Sequence, residues 1–350
     1  MRILRYVTPV LFVSSPLFAA GMEKSGEGAH VGASLRAELQ YDNGEGNKVE
    51  GTDASVTQQQ GVRANLLLSG DVNDKVSYKA EYMFIPDTYC LGTNVKWAAA
   101  TFKPVDMFSV RLGCQKVREG GWDAYNYIDT TSIRGKIDYS GLNTGNKNVP
   151  HALYTPAIEL GFHMFGDLTL QIVDDVQYVG GWNQKAKQTV NLEWRGDFAG
   201  IKPVVQYGLY DAEKSWHMDV GLMAEIENLG LTVDYGMITD SNKVAKKEDK
   251  LNRFSLELNY MVAHFKPFVY YTMFEEQQDT PDVKTNTGAV QALGFDDNGS
   301  LISFGSSFHH FGDNYAPYLA VDIASGKFKE GTDEKTKNNL MLRVGVTAQL

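Results

Sequence analysis

The sequence predicts an all-β protein, a transmembrane antiparallel β-barrel of about sixteen strands, and three observations support this prediction. Apolar and polar residues alternate with a period of two in many segments, as in strands with two different faces. These segments are joined by short turns and long loops in alternation. After residue 21, no stretch has the roughly 18 consecutive apolar residues that a membrane helix needs.

The start of the chain has the layout of a secretory signal peptide. Arg2 and Arg5 precede an apolar run at residues 7–18, and small residues follow up to Gly21. We therefore expect residues 1–21 to be removed and the mature chain to leave the cytoplasm. The apolar run is short and interrupted by proline, which argues against the alternative of a helical anchor.

The last strand shows the alternation most clearly. From Leu340 to Leu350 every second residue is apolar, and the residues between are mostly polar or small. The same pattern occurs near residues 30–41 and 216–226, and no helical period competes with it. One face of each strand is expected to meet lipid and the other water, and closing the sheet pairs the hydrogen-bonding groups of its edges.

The lengths of the connections predict the orientation of the barrel. About seven connections are short and about eight are longer, and in outer-membrane barrels the short turns face the periplasm. The longer set includes residues 118–152, 239–250 and 325–338. A soluble β-sandwich or adhesin is the alternative. It would have to bury its apolar faces against each other, and the strands are too many for a simple two-layer sandwich.

The charge composition argues against a nucleic-acid partner. The chain has 33 Lys and Arg and 43 Asp and Glu, a net charge of −10. Without Arg2 and Arg5 the basic count is 33 − 2 = 31, and the net charge is 31 − 43 = −12. A negative surface does not attract nucleic acid. The mean hydropathy of −0.29 resembles that of a soluble protein, but barrel strands have only one apolar face.

Placing the apolar residues outward assigns the charged residues to the lumen, where they separate by sign. The first five strands and the last are expected to provide a basic ladder of Arg36, Arg63, Lys79, Lys96, Arg111 and Arg343. The other strands are expected to provide an acidic wall of Glu159, Glu193, Asp219, Glu225, Asp234, Glu257 and Asp322. Glu38 and Glu81 interrupt the basic ladder; Arg195, Lys202 and Arg253 interrupt the acidic wall. Sixteen strands leave an aqueous channel, whose lining would select solutes; a random scatter of lumen charges is the alternative.

The longest connection follows the fifth strand, at about residues 118–152, and we expect it to fold into the pore. A loop of this length is either functional or mobile. Its aromatic and glycine content suits packing against the wall, and Glu119, Asp123 and Asp129 are the candidate constriction residues opposite the basic ladder. Opposed charges across a narrow passage orient dipolar solutes and set ion preference. The alternative is a loop that points outward.

With these features the chain resembles the sixteen-stranded general diffusion porins of Gram-negative bacteria. The resemblance covers the architecture of the mature chain, and it depends on the acidic, glycine-rich stretch at 119–123 and the arginine and lysine ladder. It implies a homotrimeric, water-filled outer-membrane channel for ions and small hydrophilic solutes, surrounded by lipid and lipopolysaccharide. The family usually ends in Phe, whereas this chain ends in Leu350. A porin selective for anions, phosphate or sugars is one alternative, and a non-conducting adhesin or receptor is another.

The outward-facing residues suggest where subunits meet. The first four strands present small side chains, whereas later strands present Trp194, Tyr207 and other aromatic residues. Small residues let subunits approach closely, so strands one to four are the predicted homotrimer interface. The small residues assigned to it are Ala33, Ala37, Ala64, Ala80 and Ala99.

No motif in the sequence predicts an enzyme, a cofactor or a metal site. Gly-x-Ser-x-Gly, Cys-x-x-Cys, His-Glu-x-x-His and phosphate-loop patterns are absent. Ser306 and His310 share an apparent face, but we expect them at the rim of a strand, and residues 296–298 are expected to form a solvated acidic loop rather than a calcium site. Cys90 and Cys114 would be able to pair in an oxidising compartment, a question that the sequence leaves open.

Overall fold

The computed structural model describes residues 29–42, 57–84, 95–118, 120–122, 154–175, 187–210, 215–242, 247–277, 298–310, 315–330 and 333–349. Its strands are β1 (Ala29–Asp42), β2 (Thr57–Asn73), β3 (Val76–Met83), β4 (Val95–Val105), β5 (Phe108–Lys116), β6 (Tyr154–Met164), β7 (Gly166–Asp175), β8 (Lys187–Arg195), β9 (Ile201–Tyr210), β10 (Ser215–Ile226), β11 (Leu229–Asn242), β12 (Lys247–Tyr260), β13 (Phe265–Gln277), β14 (Asn298–Phe308), β15 (Tyr315–Glu330) and β16 (Asp333–Gln349).

The sixteen strands form one closed antiparallel barrel. Each strand pairs with its neighbours in sequence, and β1 closes the barrel against β16, with Leu35 opposite Ala348. Closure leaves no open sheet edge, so the ladder satisfies the backbone groups that lipid cannot. The predicted fold class is confirmed. Within the described ranges, no helix is long and apolar enough to cross a membrane.

Apolar side chains point out of the barrel and polar ones point in. In β10, Val220 and Leu222 are exposed on the outer face, whereas Asp219 and Gly221, which alternate with them, are buried on the inner face. A tight turn at residues 199–200, where Ala199 and Gly200 have φ of 53° and 90°, joins β8 to β9. Two successive positive φ values match the twist of paired strands, which explains why the turn can be so short.

Two of the loops predicted from sequence are largely strand. β11 and β12 run to Asn242 and from Lys247, and β15 and β16 run to Glu330 and from Asp333. The predicted loops at 239–250 and 325–338 are therefore wrong in extent. The residues of these hairpin ends are mostly polar in both alternating sets. The period-two signal disappears there although the backbone ladder continues.

The fourth strand has its faces exchanged relative to the prediction. Ala99 is 9% exposed and lies on the lumen side, whereas Ala98 and Ala100 are on the outer face with Phe102. The assignment of Ala99 to the outer surface is therefore wrong. Three consecutive alanines carry no alternation, and the pairing of β3 with β4 shifts register after Glu81. Sequence had no signal for the correct face.

Cys114 is disulfide-bonded. Cys90, the other cysteine of the sequence, lies outside the described residues. Cys114 is buried opposite Ala98 of β4 and Pro156 of β6.

Candidate functional site

The third loop enters the barrel directly after β5. The structure describes residues 117–118 and 120–122 of this connection. Val117 and Trp122 are 0% and 9% exposed, and the segment makes hydrogen bonds to β6 through β12. The described start of the loop thus lies inside the lumen, against the side of the barrel that carries the acidic residues.

Arg118 attaches the start of the third loop to the barrel wall through an ion-pair network. Its guanidinium donates to both carboxylate oxygens of Glu159 at 2.8 to 3.0 Å and to Glu193 Oε1 at 2.9 Å. Arg111 contacts Glu159 at 2.8 Å, and Arg195 contacts Glu193 at 2.8 Å. Charge-assisted hydrogen bonds of this kind are about twice as strong as neutral ones. The two carboxylates, 7% and 1% exposed, are thereby neutralised by three arginines.

Three successive backbone amides, at residues 120–122, then bind the inner wall. Each donates its N–H to a side chain of a different strand, so the loop is recognised largely through its main chain. Their acceptors, in order, are Asp219 Oδ2 at 3.1 Å, Gln206 Oε1 at 2.9 Å and Asp234 Oδ1 at 2.8 Å. Buried amides need such partners, and carboxylates supply strong ones.

Two glycines make room for the Asp234 carboxylate. Gly121 has φ of +60°, and a Cβ there would lie 2.4 Å from Asp234 Oδ1. A Cβ on Gly221 would lie 1.9 Å from the same oxygen. The loop and the wall therefore both need glycine at this contact. Sequence analysis missed Gly221, although an isolated glycine inside a strand is a signal of close approach.

The Trp122 side chain completes the attachment. Its indole Nε1–H donates to Lys202 O at 2.7 Å, and the Arg195 guanidinium lies 5.4 Å from the ring centroid. Arg253 donates to Gly120 O at 2.8 Å. Two of the three cations that interrupt the predicted acidic wall, Arg195 and Arg253, therefore contact the loop, through its aromatic ring and through its carbonyl, whereas Lys202 contributes its backbone carbonyl.

Four residues of the predicted acidic wall lie under the entering loop. Glu159, Glu193, Asp219 and Asp234 are buried, and residues 118–122 of the entering loop donate hydrogen bonds to each of them. Their carboxylates accept hydrogen bonds from arginine side chains and from backbone N–H groups of the loop, and they do not face the channel. Sequence could place these carboxylates on the inner face, but it could not show what would lie on top of them.

The remaining acidic candidates differ from one another. Asp322 is 0% exposed and pairs with Arg343, a member of the predicted basic ladder that is 1% exposed; Arg343 Nη2 donates to Asp322 Oδ1 at 2.8 Å. Glu257 is 3% exposed and accepts from Asn259. Glu225 is solvent-accessible, and it pairs with Lys202 at 2.9 Å. Arg343 and Asp322 thus form a buried pair with no net charge.

Among the ladder residues whose side chains are described, the accessible ones lie on β3 and β5. Lys79 is exposed, and the Arg111 side chain is 29% exposed. Between them Trp97 faces the lumen, with Lys79 Nζ 4.8 Å and Arg111 Cζ 6.0 Å from its ring centroid. Sequence analysis missed Trp97 because the parity of β4 was misread.

Several predicted residues fall outside what the structure describes. Arg36 and Arg63 are register partners of each other across β1 and β2, but their side chains are not described. The side chain of Lys96 is likewise not described. The same holds for the three constriction candidates Glu119, Asp123 and Asp129.

A second polar cluster lies near the periplasmic end of β5 to β7. Ser109 Oγ is 3.0 Å from His163 Nε2, and His163 Nδ1 is 2.6 Å from Asp167 Oδ1. A Cβ on Gly161 would lie 2.4 Å from Ser109 Oγ, so the glycine leaves space for this contact. In spacing the cluster resembles the chain of hydrogen bonds in serine hydrolases.

The pair that the sequence singled out does not form such a chain. Ser306 Oγ donates to the carbonyl of Ser307, and the His310 ring stacks on Phe308 at a centroid distance of 5.7 Å. Within the described ranges, there is no group of three or more His, Cys, Asp or Glu side chains that could hold a metal ion.

Comparison with known proteins agrees with this architecture. A family model described as Gram-negative porin matches residues 7–309. No curated protein matches the chain. An anion-selective porin from Comamonas acidovorans superposes with a TM-score of 0.62 at 11% identity, over 92% of this chain and 99% of that one.

Two further solved structures share the fold. OmpF of Salmonella typhi, in complex with daunomycin, has a TM-score of 0.60 at 13% identity, over 94% of this chain and 99% of that one. The trimer form of OmpT, an outer-membrane protein of Vibrio cholerae, has a TM-score of 0.58 at 14% identity, over 93% and 100%. The closed barrel with its inward loop and the match over most of the sequence lead to one conclusion: the chain belongs to the Gram-negative porins, channel proteins of the outer membrane.

Proposed function

We propose that the channel passes ions and small hydrophilic solutes passively and prefers anions. The observation that carries this proposal is the unequal exposure of the two kinds of charge in the lumen. Glu193, Asp219 and Asp234 are buried under the entering loop, whereas Lys79 and Arg111 on the other side are accessible. Of the described lumen carboxylates, Glu225 is accessible but pairs with Lys202, and Glu81 is partly exposed and accepts a hydrogen bond from Asn65. We infer that the solution in the pore meets more basic than acidic charge.

The ion-pair network at the loop entry adds to this imbalance. It contains three arginines and two glutamates, which sums to 3 − 2 = +1. Charges beside a narrow aqueous passage with low-dielectric walls attract counter-ions and repel ions of the same sign. One solved barrel of the same fold is an anion-selective porin, so the architecture is compatible with such a preference.

Planar-bilayer recording tests the proposal. In a KCl gradient the purified protein should conduct in steps, with a reversal potential that favours chloride, and Arg111→Gln should move that potential toward potassium. Lys103→Gln, which removes an exposed charge at the periplasmic end of β4, is the matched control and should shift it less. A cation preference of the unaltered protein, or an equal shift in both variants, would contradict the proposal. Absence of conductance would favour a receptor or adhesin barrel.

We also propose a homotrimer built on the small outer face of β1 to β4. Ala33, Ala37, Ala64 and Ala80 keep the positions expected of them, and Ala98 and Ala100 replace Ala99. Side chains of this size allow close approach of neighbouring barrels. A solved barrel of the same fold is described in a trimer form, which supports this arrangement.

We further propose that the Ser109, His163 and Asp167 cluster is structural and that the protein is not an enzyme. Acyl transfer needs hydrogen-bond donors aimed at the developing oxyanion. Ser109 lies inside the β5 ladder, opposite Gly161, where backbone amides already serve strand pairing. An active-site-directed fluorophosphonate should therefore leave the protein unlabelled. Labelling that disappears in Ser109→Ala and in His163→Ala would establish a reactive serine and refute this view.

A further inference from the structure

We propose that Lys79, Trp97 and Arg111 form a subsite in the channel wall for aromatic carboxylates. This inference rests on the proposed anion preference and names the class of solute that the basic side would favour. The subsite combines a large apolar ring with two cations on three adjacent strands. Each of these groups recognises one part of a planar organic acid.

The three side chains converge because their strand positions share the lumen face. Lys79 is the register partner of Ala99, which is two residues from Trp97 on β4, and Arg111 is the register partner of Thr101. Lys79 Nζ lies 4.8 Å and Arg111 Cζ 6.0 Å from the Trp97 ring centroid. Both cations are therefore within reach of a solute that lies against the indole.

Two hydrogen bonds hold Arg111 in place, and Lys79 carries its charge on an exposed side chain. Arg111 donates from Nε to Thr101 Oγ1 at 3.1 Å and from Nη1 to Glu159 at 2.8 Å, which fixes the plane of its guanidinium. A planar, fixed guanidinium is suited to a carboxylate. The Lys79 ammonium is exposed on a flexible stem, and its contact with the ring is of the weak kind found at accessible sites.

Binding would form two kinds of contact, one with the carboxylate of the solute and one with its ring. The carboxylate of the solute takes the Lys79 ammonium from the ring face and forms a charge-assisted hydrogen bond with it. The uncovered indole then packs against the aromatic ring of the solute, in an offset or edge-to-face arrangement. A purely structural role for Trp97 would give no preference between an aromatic carboxylate and a saturated one of the same charge and similar size.

That difference defines the experiment. Benzoate and cyclohexanecarboxylate are added separately to the purified channel in KCl, and the concentration that halves the ion current is measured for each. Benzoate should block at the lower concentration, and Trp97→Leu should reduce this ratio by about twofold to tenfold, the range expected for loss of one aromatic pair. Trp97→Phe should retain most of it. Lys79→Gln should weaken the block by both acids.

The matched control is Trp216→Leu, which removes an indole from the outer face of β10, where it stacks on Tyr207. It should leave the benzoate preference as it is. Equal block by the two acids in the unaltered protein, or an unchanged ratio in Trp97→Leu, would overturn the subsite. A chloride-preferring channel with equal block rejects the subsite alone, whereas a potassium-preferring channel rejects the anion preference itself.

Discussion

Arg118→Met tests the attachment of the third loop most directly. Methionine keeps much of the length and apolar volume of the arginine stem and removes the guanidinium. The variant loses the bonds to Glu159 and Glu193 and leaves each of these buried carboxylates with one remaining arginine, Arg111 or Arg195. The sixteen-strand ladder itself is not touched.

The expected cost follows from the burial of the two carboxylates. Breaking a buried ion pair by removing one partner costs about 3–5 kcal/mol when the other charge is left uncompensated. Because Arg111 and Arg195 remain, we expect the lower part of this range, about 3 kcal/mol. At about 1.4 kcal/mol per factor of ten, the ratio of attached to detached loop falls roughly a hundredfold.

Single-channel recording and limited proteolysis measure the expected decrease in loop attachment. Arg118→Met should show more open-channel current noise and faster cleavage within residues 123–150 than the unaltered protein. Lys103→Met is the control for loss of a positive charge away from the loop. If Arg118→Met and Lys103→Met are equally quiet and equally resistant, the network does not hold the loop.

Three further predictions concern the loop contact, the oligomer and the disulfide. Gly121→Ala forces a Cβ against the Asp234 carboxylate at an unfavourable φ, so it should cost about 1–3 kcal/mol and give a noisy channel; a quiet one would contradict the contact. Ala98→Trp should abolish the trimer on native gels while remaining compatible with lipid, and Val220→Trp on β10 should not; a trimer that survives Ala98→Trp would remove β4 from the interface. Cys114→Ser opens a loop of roughly 25 residues and should cost about 3 kcal/mol, seen as a lower denaturant midpoint; an unchanged midpoint would mean that the bond adds no stability.

The barrel was predictable because its signal is local. Every strand inside the lipid must place apolar side chains outward, as Val220 and Leu222 do. Apolar residues therefore occur at every second position of the sequence. The adjoining ends of β15 and β16, near Glu330 and Asp333, lack this apolar alternation, so the sequence predicts a loop there. The run Ala98, Ala99, Ala100 likewise fits either face, so the lumen position of Trp97 could not be found.

The site was less predictable because its contacts are long-range. The sequence showed that Asp219 and Asp234 face inward, but their partners are amides at Gly120 and Trp122, about a hundred residues earlier in the chain. An inward carboxylate has the same sequence pattern whether it meets water or a loop. Its role depends on the group that it contacts, here a backbone N–H of the loop, and this contact exists only in the closed barrel with the loop inside.

The loop is fastened by Arg118 and by three main-chain amides within residues 120–122, together with the Trp122 indole. Main-chain amides are common to all residues except proline, so these three contacts depend little on side-chain identity, apart from the glycine needed at residue 121. We therefore expect substitutions after Trp122 to leave the contacts of residues 118–122 in place. Such a division gives evolution, and protein engineering, a way to vary the passage without rebuilding its frame.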